Sequence, residues 1–170
     1  MNKTATALIV AFLAVSVLPV SDARARNFLD AARLAKVVAI NVIVEDLVKD
    51  GCLPRPDALK SEAELILRRS GIQVLDDAQR DRETLVLSPL GNVLSGGSDI
   101  CVVTLEVNLV RYEYLSDESY GLVMRFASTG LNWGPKAGSQ ERLRTVVNKI
   151  VTDLANEILK ARENASSKTQ

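Results

Sequence analysis

The sequence contains no histidine. That removes the commonest general base, the commonest zinc ligand and the usual partner of a serine or cysteine nucleophile. Triad hydrolases, most zinc enzymes and histidine-based pH switches are disfavoured together, while carboxylate chemistry stays open. Aromatic residues are also scarce, at 4% with one tryptophan. Charge of either sign is not in excess, with 21 Lys and Arg against 21 Asp and Glu. Such a chain has no electrostatic reason to bind nucleic acid or an anionic membrane surface. No apolar run reaches the ~20 residues of a spanning helix.

What the chain does have begins at its N-terminus. Lys3 supplies a positive start, and Ala5 to Val17 reads ATALIVAFLAVSV. Pro19 ends the run, and Ala23-Arg24-Ala25 places small residues at the −3 and −1 positions of a cleavage site. Residues 1–25 are therefore expected to be a signal peptide. The alternative, a membrane anchor, is disfavoured by the shortness of the run. No cysteine lies near the cleavage point, which argues against lipid attachment. The remainder is expected to form one domain over 26–163, with a disordered tail over 164–170. This places the protein in the periplasm or outside the cell, with no stable membrane span after processing.

Two cysteines remain after processing, Cys52 and Cys101. In an exported chain a pair is most simply a disulfide, with two free thiols or a functional thiol as alternatives. The spacing is unlike a Cys-x-x-Cys redox motif.

Along the chain, Lys36 to Leu47 alternates with Val38, Ile40, Val42 and Val44 on one face, a strand pattern. Asp57 opens a helix to about Ser70, with Leu59, Ala63, Ile66 and Leu67 as its apolar stripe and Gly71 as its cap. Ile72 to Leu75 then reads as a short strand, and Thr84 to Leu87 as another, stopped by Ser88-Pro89. Ile100 to Tyr114 is the longest strand, with Val103, Leu105, Val107 and Leu109 on one face. Tyr120 to Ser128 returns, with Leu122, Met124 and Phe126 expected inward and Arg125 outward. Gly130 to Gly138 reads as an irregular loop. Ser139 to about Arg162 is the clearest helix, its stripe Leu143, Val147, Ile150, Leu154 and Ile158. The expected fold is α+β, in the order β-α-β-β-β-β-α. Its sheet is mostly antiparallel, with two helices packed on one face.

Three stretches bear on chemistry. Asp76, Asp77, Asp81 and Glu83 lack the turn glycine of a calcium loop and are interleaved with Arg80 and Arg82, so they read as a solvated connection. Gly91 to Gly97, GNVLSGG, lacks the lysine and spacing of a phosphate loop and precedes a strand. Trp133, in Asn132-Trp133-Gly134-Pro135, is either a recognition residue or a plug over the core. The plug is favoured, yet Trp133 is the residue to expect in any binding face. Glu106 and Glu113, seven apart on a strand, should fall on opposite faces and cannot form a glycosidase pair. No catalytic, cofactor-binding or metal-ligating residue is assigned, and no cofactor is expected.

The segment Ala63-Glu64-Leu65-Ile66-Leu67-Arg68-Arg69-Ser70-Gly71-Ile72-Gln73-Val74 resembles the helix-to-strand turn of several bacterial envelope families. Among these are the N-terminal domain of the translocation protein TolB and the related domain of curli-secretion lipoproteins. The similarity spans roughly residues 37–160. Propeller repeats and a lipid-bearing cysteine, found in those families, are missing here. The resemblance implies a fold and an envelope role and carries no catalytic residue. The expected function is a non-enzymatic exported domain binding an envelope protein. The alternatives are a carboxylate-type enzyme acting on an envelope glycan and a small-molecule carrier using the helix–sheet groove. Self-association through a sheet edge stays open.

Overall fold

The computed structural model describes residues 28–29, 31–76, 82–94, 99–115 and 119–167. The expected signal peptide, residues 1–25, Asp77 and Asp81 of the acidic stretch, and the expected turn at 116–118 lie outside the described residues.

Among the described residues ten elements follow one another: β1 (Phe28–Leu29), α1 (Ala31–Leu34), β2 (Ala39–Val44), β3 (Leu47–Val48), α2 (Asp57–Arg69), β4 (Gln73–Leu75), β5 (Glu83–Val93), β6 (Ile100–Tyr114), β7 (Tyr120–Pro135) and α3 (Ser139–Ser167). The protein is α+β, with a mixed but mostly antiparallel sheet. Its strand order is β1-β7-β6-β5-β2-β4, and β3 pairs beside β5. Parallel pairing is confined to β2 with β4 and to β2 and β3 with β5.

The β2–α2–β4 unit follows from local chemistry. Leu59, Ala63, Ile66 and Leu67 are buried on one side of α2. The helix ends in a Schellman motif: Ile72 N–H donates to the Leu67 carbonyl at 3.0 Å and Gly71 N–H to the Arg68 carbonyl at 3.1 Å. Gly71 adopts φ 72°, which costs glycine little. Ile72 and Leu67, the two ends of that motif, are both buried and join the core.

The core lies between one sheet face and the two long helices. It contains Ile40 and Val42 of β2, Leu85 and Leu87 of β5, and Val103, Leu105, Val107 and Leu109 of β6. Leu143, Val147, Ile150, Val151, Leu154 and Ile158 of α3 complete it. A fully buried Leu of this kind stabilises by roughly 1.5–3 kcal/mol, which explains why these positions carry nothing polar. Cys52 and Cys101 are bonded, with Cα atoms 5.8 Å apart. The bond ties the turn after β3 to the start of β6, and both residues are fully buried.

Four expectations are corrected. First, β5 does not stop at Pro89 but runs to Val93. Pro89 falls between the end of β2 pairing at Leu87 and the start of β3 pairing at Leu90, where a missing N–H breaks no ladder bond. Second, residues 130–135 are not a loop: β7 stays in register with β6 as far as Ile100↔Pro135. Third, the inward and outward residues of β7 are reversed near its start. Leu109 faces Phe126 but Val110 faces Met124, so Arg125 is an extra, bulged residue. A one-residue shift exchanges faces. Leu122 and Met124 are accordingly exposed, while Arg125 is buried beside Phe126. Fourth, α3 continues past Arg162 to Ser167, so the first residues of the expected tail are helical.

Candidate binding surface

The bulge builds an ionic cluster at one end of the inner face. Arg125, 3% exposed, reaches Glu83 at 3.1 Å and Glu113 at 3.3 Å. It also donates to the Arg33 carbonyl at 3.0 Å. Arg33 pairs with Glu113, and Arg111 approaches Glu83 at 3.4 Å. Both inward carboxylates are thus spent on guanidinium groups rather than aimed at a cleft. Glu106 points to the opposite, solvent side and is exposed, as its spacing from Glu113 predicted.

A second polar site joins α2 to α3. Arg144 Nη2 meets Glu62 at 2.7 Å and Asn148 Nδ2 donates to it at 3.0 Å. The Arg144 hydrogen bond, aided by Asn148, holds the Glu62 carboxyl below its ordinary range. A shallow depression of about 150 Å³ lies here, lined by Glu62, Glu141, Arg144, Thr145 and Asn148. Its lining charges satisfy one another. Among the described residues, no cluster of His, Cys, Asp and Glu is suited to hold a metal ion.

The outer sheet face is different. Both long helices lie on the inner face, so the even-numbered residues of β6 and their partners look outward. In one row Leu47 pairs with Leu90, Leu90 with Thr104, and Thr104 with Leu131. Those three leucines are 58%, 59% and 62% exposed. In the next row Trp133 pairs with Val102 and is 70% exposed. Trp133 is therefore no plug over the core, which corrects that expectation. Its backbone is nonetheless firmly placed. The neighbouring Asn132 is buried and accepts from Arg142 Nε at 2.9 Å, while Arg142 Nη2 donates to the Pro135 carbonyl at 2.6 Å. Gly130 lets α3 approach: a Cβ there would lie 2.3 Å from Val146 Cγ1.

At the far end of the same face, Tyr112 stacks on Tyr120 with ring centroids 5.8 Å apart, and Tyr114 tilts against Tyr120 at 5.1 Å. An open depression of about 380 Å³ adjoins them, lined by Arg111, Tyr112, Glu113, Tyr114 and Tyr120. All of the chain's tyrosines thus sit on one hairpin. Of this face, the sequence singled out Trp133 alone. The leucines were missed because Leu131 stood in a glycine-rich stretch read as loop and Leu90 followed a proline read as a strand end. The paired registers around Pro89 and Gly130 were the signal, and they are non-local.

No family model matches the chain, and no curated protein matches it. Eighteen solved chains do match in fold. One is the PelC dodecamer of Paraburkholderia phytofirmans, at 16% identity and a TM-score of 0.46, covering 76% of this chain and 95% of that one. Another is a minor lipoprotein of Acinetobacter baumannii, at 15% identity and a TM-score of 0.41, covering 74% and 92%. The rare lipoprotein B of Shewanella oneidensis matches at 14% identity and a TM-score of 0.29, covering 77% and 98%. No residue role is carried over from any of them.

Proposed function

We propose that the protein is an exported, non-enzymatic binding module whose outer sheet face, centred on Trp133, docks a protein of the cell envelope. The observation that carries this reading is the row of Leu47, Leu90 and Leu131 beside Trp133, apolar and exposed on a face that neither long helix covers. Aromatic anchors set among smaller apolar residues are the usual energetic centres of protein interfaces. The Cys52–Cys101 bond supports export, because such bonds persist in oxidising compartments. Residues 1–25 support it through their signal pattern. The inward carboxylates Glu83 and Glu113 are held by Arg125.

The test is affinity capture from envelope extract, comparing the wild type with Trp133→Ala. The variant should retain its far-UV circular dichroism and thermal midpoint while losing most of the captured partner. Turnover of an envelope glycan by the purified protein, abolished by changing one Asp or Glu, would overturn the reading.

A further inference from the structure

We propose that the outer sheet face takes a cationic amphipathic helix of an envelope protein, with its apolar stripe on the leucine row and its lysines or arginines on Glu45 and Glu106. The inference rests on the docking reading and adds to it the chemistry of the partner.

A row of carboxylates runs beside the exposed leucines. Two residues along β5 from Leu90 stands Ser88, which pairs with Glu106 on β6. The Ser88 hydroxyl donates to the Glu45 carboxylate at 3.3 Å. Glu45 N–H donates to the Leu87 carbonyl at 2.9 Å, which keeps its backbone in line with β5. Glu45 and Glu106 thus flank Ser88 on the outer face, and both are exposed. Among the described residues neither enters an ion pair. The inward Glu83 and Glu113 differ, since arginine holds each of them. In the free protein water solvates the outer pair. A partner that covers Leu90 and Leu131 strips part of that water, and a cation offsets the loss where an apolar or acidic group does not.

The same charges weigh against other occupants. A second copy stacked face to face would set carboxylate against carboxylate, and an anionic lipid surface would set phosphate against them. Like charges so placed cost affinity. Lys49, two residues beyond Leu47, is exposed on the opposite flank of the leucine row. It directs the partner's cations to the glutamate side.

The sheet face also selects a helix. Its N–H and C=O groups are spent in the ladders, so it offers side chains alone. A segment that buries its backbone there must satisfy its own hydrogen bonds, as a helix does. Leu47, Leu90, Thr104 and Leu131 follow one another across the strands. At a strand spacing of ~4.8 Å that row is about 14 Å long. It matches about nine residues of helix, or two and a half turns of an apolar stripe. Glu45 and Glu106 lie two strand spacings apart, about 10 Å, which is the rise between helix positions seven apart. Their row is about 7 Å from the leucines along the strands, within the reach of a lysine or arginine that lays its stem on apolar surface. Trp133 stands on the other flank, in the row next to Leu131, and walls the helix in.

Trp133 is the chain's one tryptophan and is 70% exposed, so its emission reports cover of this face. The experiment titrates the purified protein with a short amphipathic helical peptide of Leu and Lys, and with the same pattern in Leu and Glu. The Leu/Lys peptide should move Trp133 emission to shorter wavelength and saturate, and the Leu/Glu peptide should not. Glu45→Gln combined with Glu106→Gln should weaken Leu/Lys binding about tenfold, as should high salt. Asp153→Asn, exposed on α3, should leave it unchanged. Thermal melts confirm that each variant is folded. No response to the Leu/Lys peptide, an equal response to both peptides, or undiminished binding by the glutamine variant overturns the proposal. So does an emission shift with phosphatidylglycerol vesicles that survives in that variant, which would mean a lipid surface. A glutamine variant that captures the envelope partner undiminished, while Trp133→Ala loses it, would sink the cationic helix and leave the docking reading standing. Charge-dependent peptide binding, with the envelope partner captured undiminished by Trp133→Ala, would sink the docking reading and leave the helix site standing.

Discussion

Arg125 shows how much one residue can decide. Its guanidinium is buried against Glu83 and Glu113, and Glu83 itself is 3% exposed. Removing one partner of a buried ion pair typically costs about 3–5 kcal/mol, because the other charge stays desolvated. Arg125 keeps Glu113 when Glu83 is lost, so Glu83→Ala should cost about 3 kcal/mol, read as a lower urea midpoint with an unchanged slope. Glu106→Ala, on the exposed outer face, should stay within about 0.5 kcal/mol. The sequence placed Arg125 outside because period two, counted back from Phe126, puts Leu122 and Met124 on the inner face. The bulge resets that count and seats Arg125 among groups brought from α1, β5 and β6. No window along β7 contains that information. The Glu106 and Glu113 assignment, by contrast, depended only on parity within one strand and needed no partner.

At the scale of elements, legibility followed the range of the forces. α2 was readable to within a residue because its stripe and its Schellman end are local. The helix α3 was readable for the same reason: Leu143, Val147, Ile150, Leu154 and Ile158 of its stripe are all buried, joined by Ser139, Val151, Ala155 and Ala161. Ile150 packs against the inner face at Gly130, where its Cδ1 would be 3.4 Å from an added Cβ. Ile150→Asp places a charge there with no counter-charge and should leave the protein unfolded in circular dichroism at ambient temperature. Lys149→Asp, on the exposed side of the same turn, should shift the melting midpoint by no more than a couple of degrees. Equal effects would mean that the helix faces are misassigned. β7 was harder to read. Gly130, Gly134 and Pro135 look like punctuation, but each tolerates the strand for a reason outside it: the closeness of α3, the Arg142 hydrogen bonds and the end of pairing with β6. Composition alone cannot separate a glycine that breaks a strand from one that admits a helix above it.

For the molecule as a whole, the central property is asymmetry between its two sheet faces. The inner face is sealed by α2 and α3, and the Cys52–Cys101 bond closes a separation of 49 residues. In the chain-entropy picture such a loop contributes about 4 kcal/mol to stability, a contribution that does not depend on covering the bare face. The bare face carries Trp133, the leucine row and the three tyrosines, so most of a small aromatic allotment is spent on surface. Contiguous exposed apolar groups of this kind mark interaction sites more often than chance exposure does. The most direct test is site-specific photocrosslinking in living cells, with a photoreactive residue at the position of Trp133, of Leu90 or of Lys160, the last exposed on α3. The account predicts discrete adducts from the Trp133 and Leu90 positions and none from the Lys160 position. Adducts from Lys160 alone, with both outer-face positions silent, would contradict it.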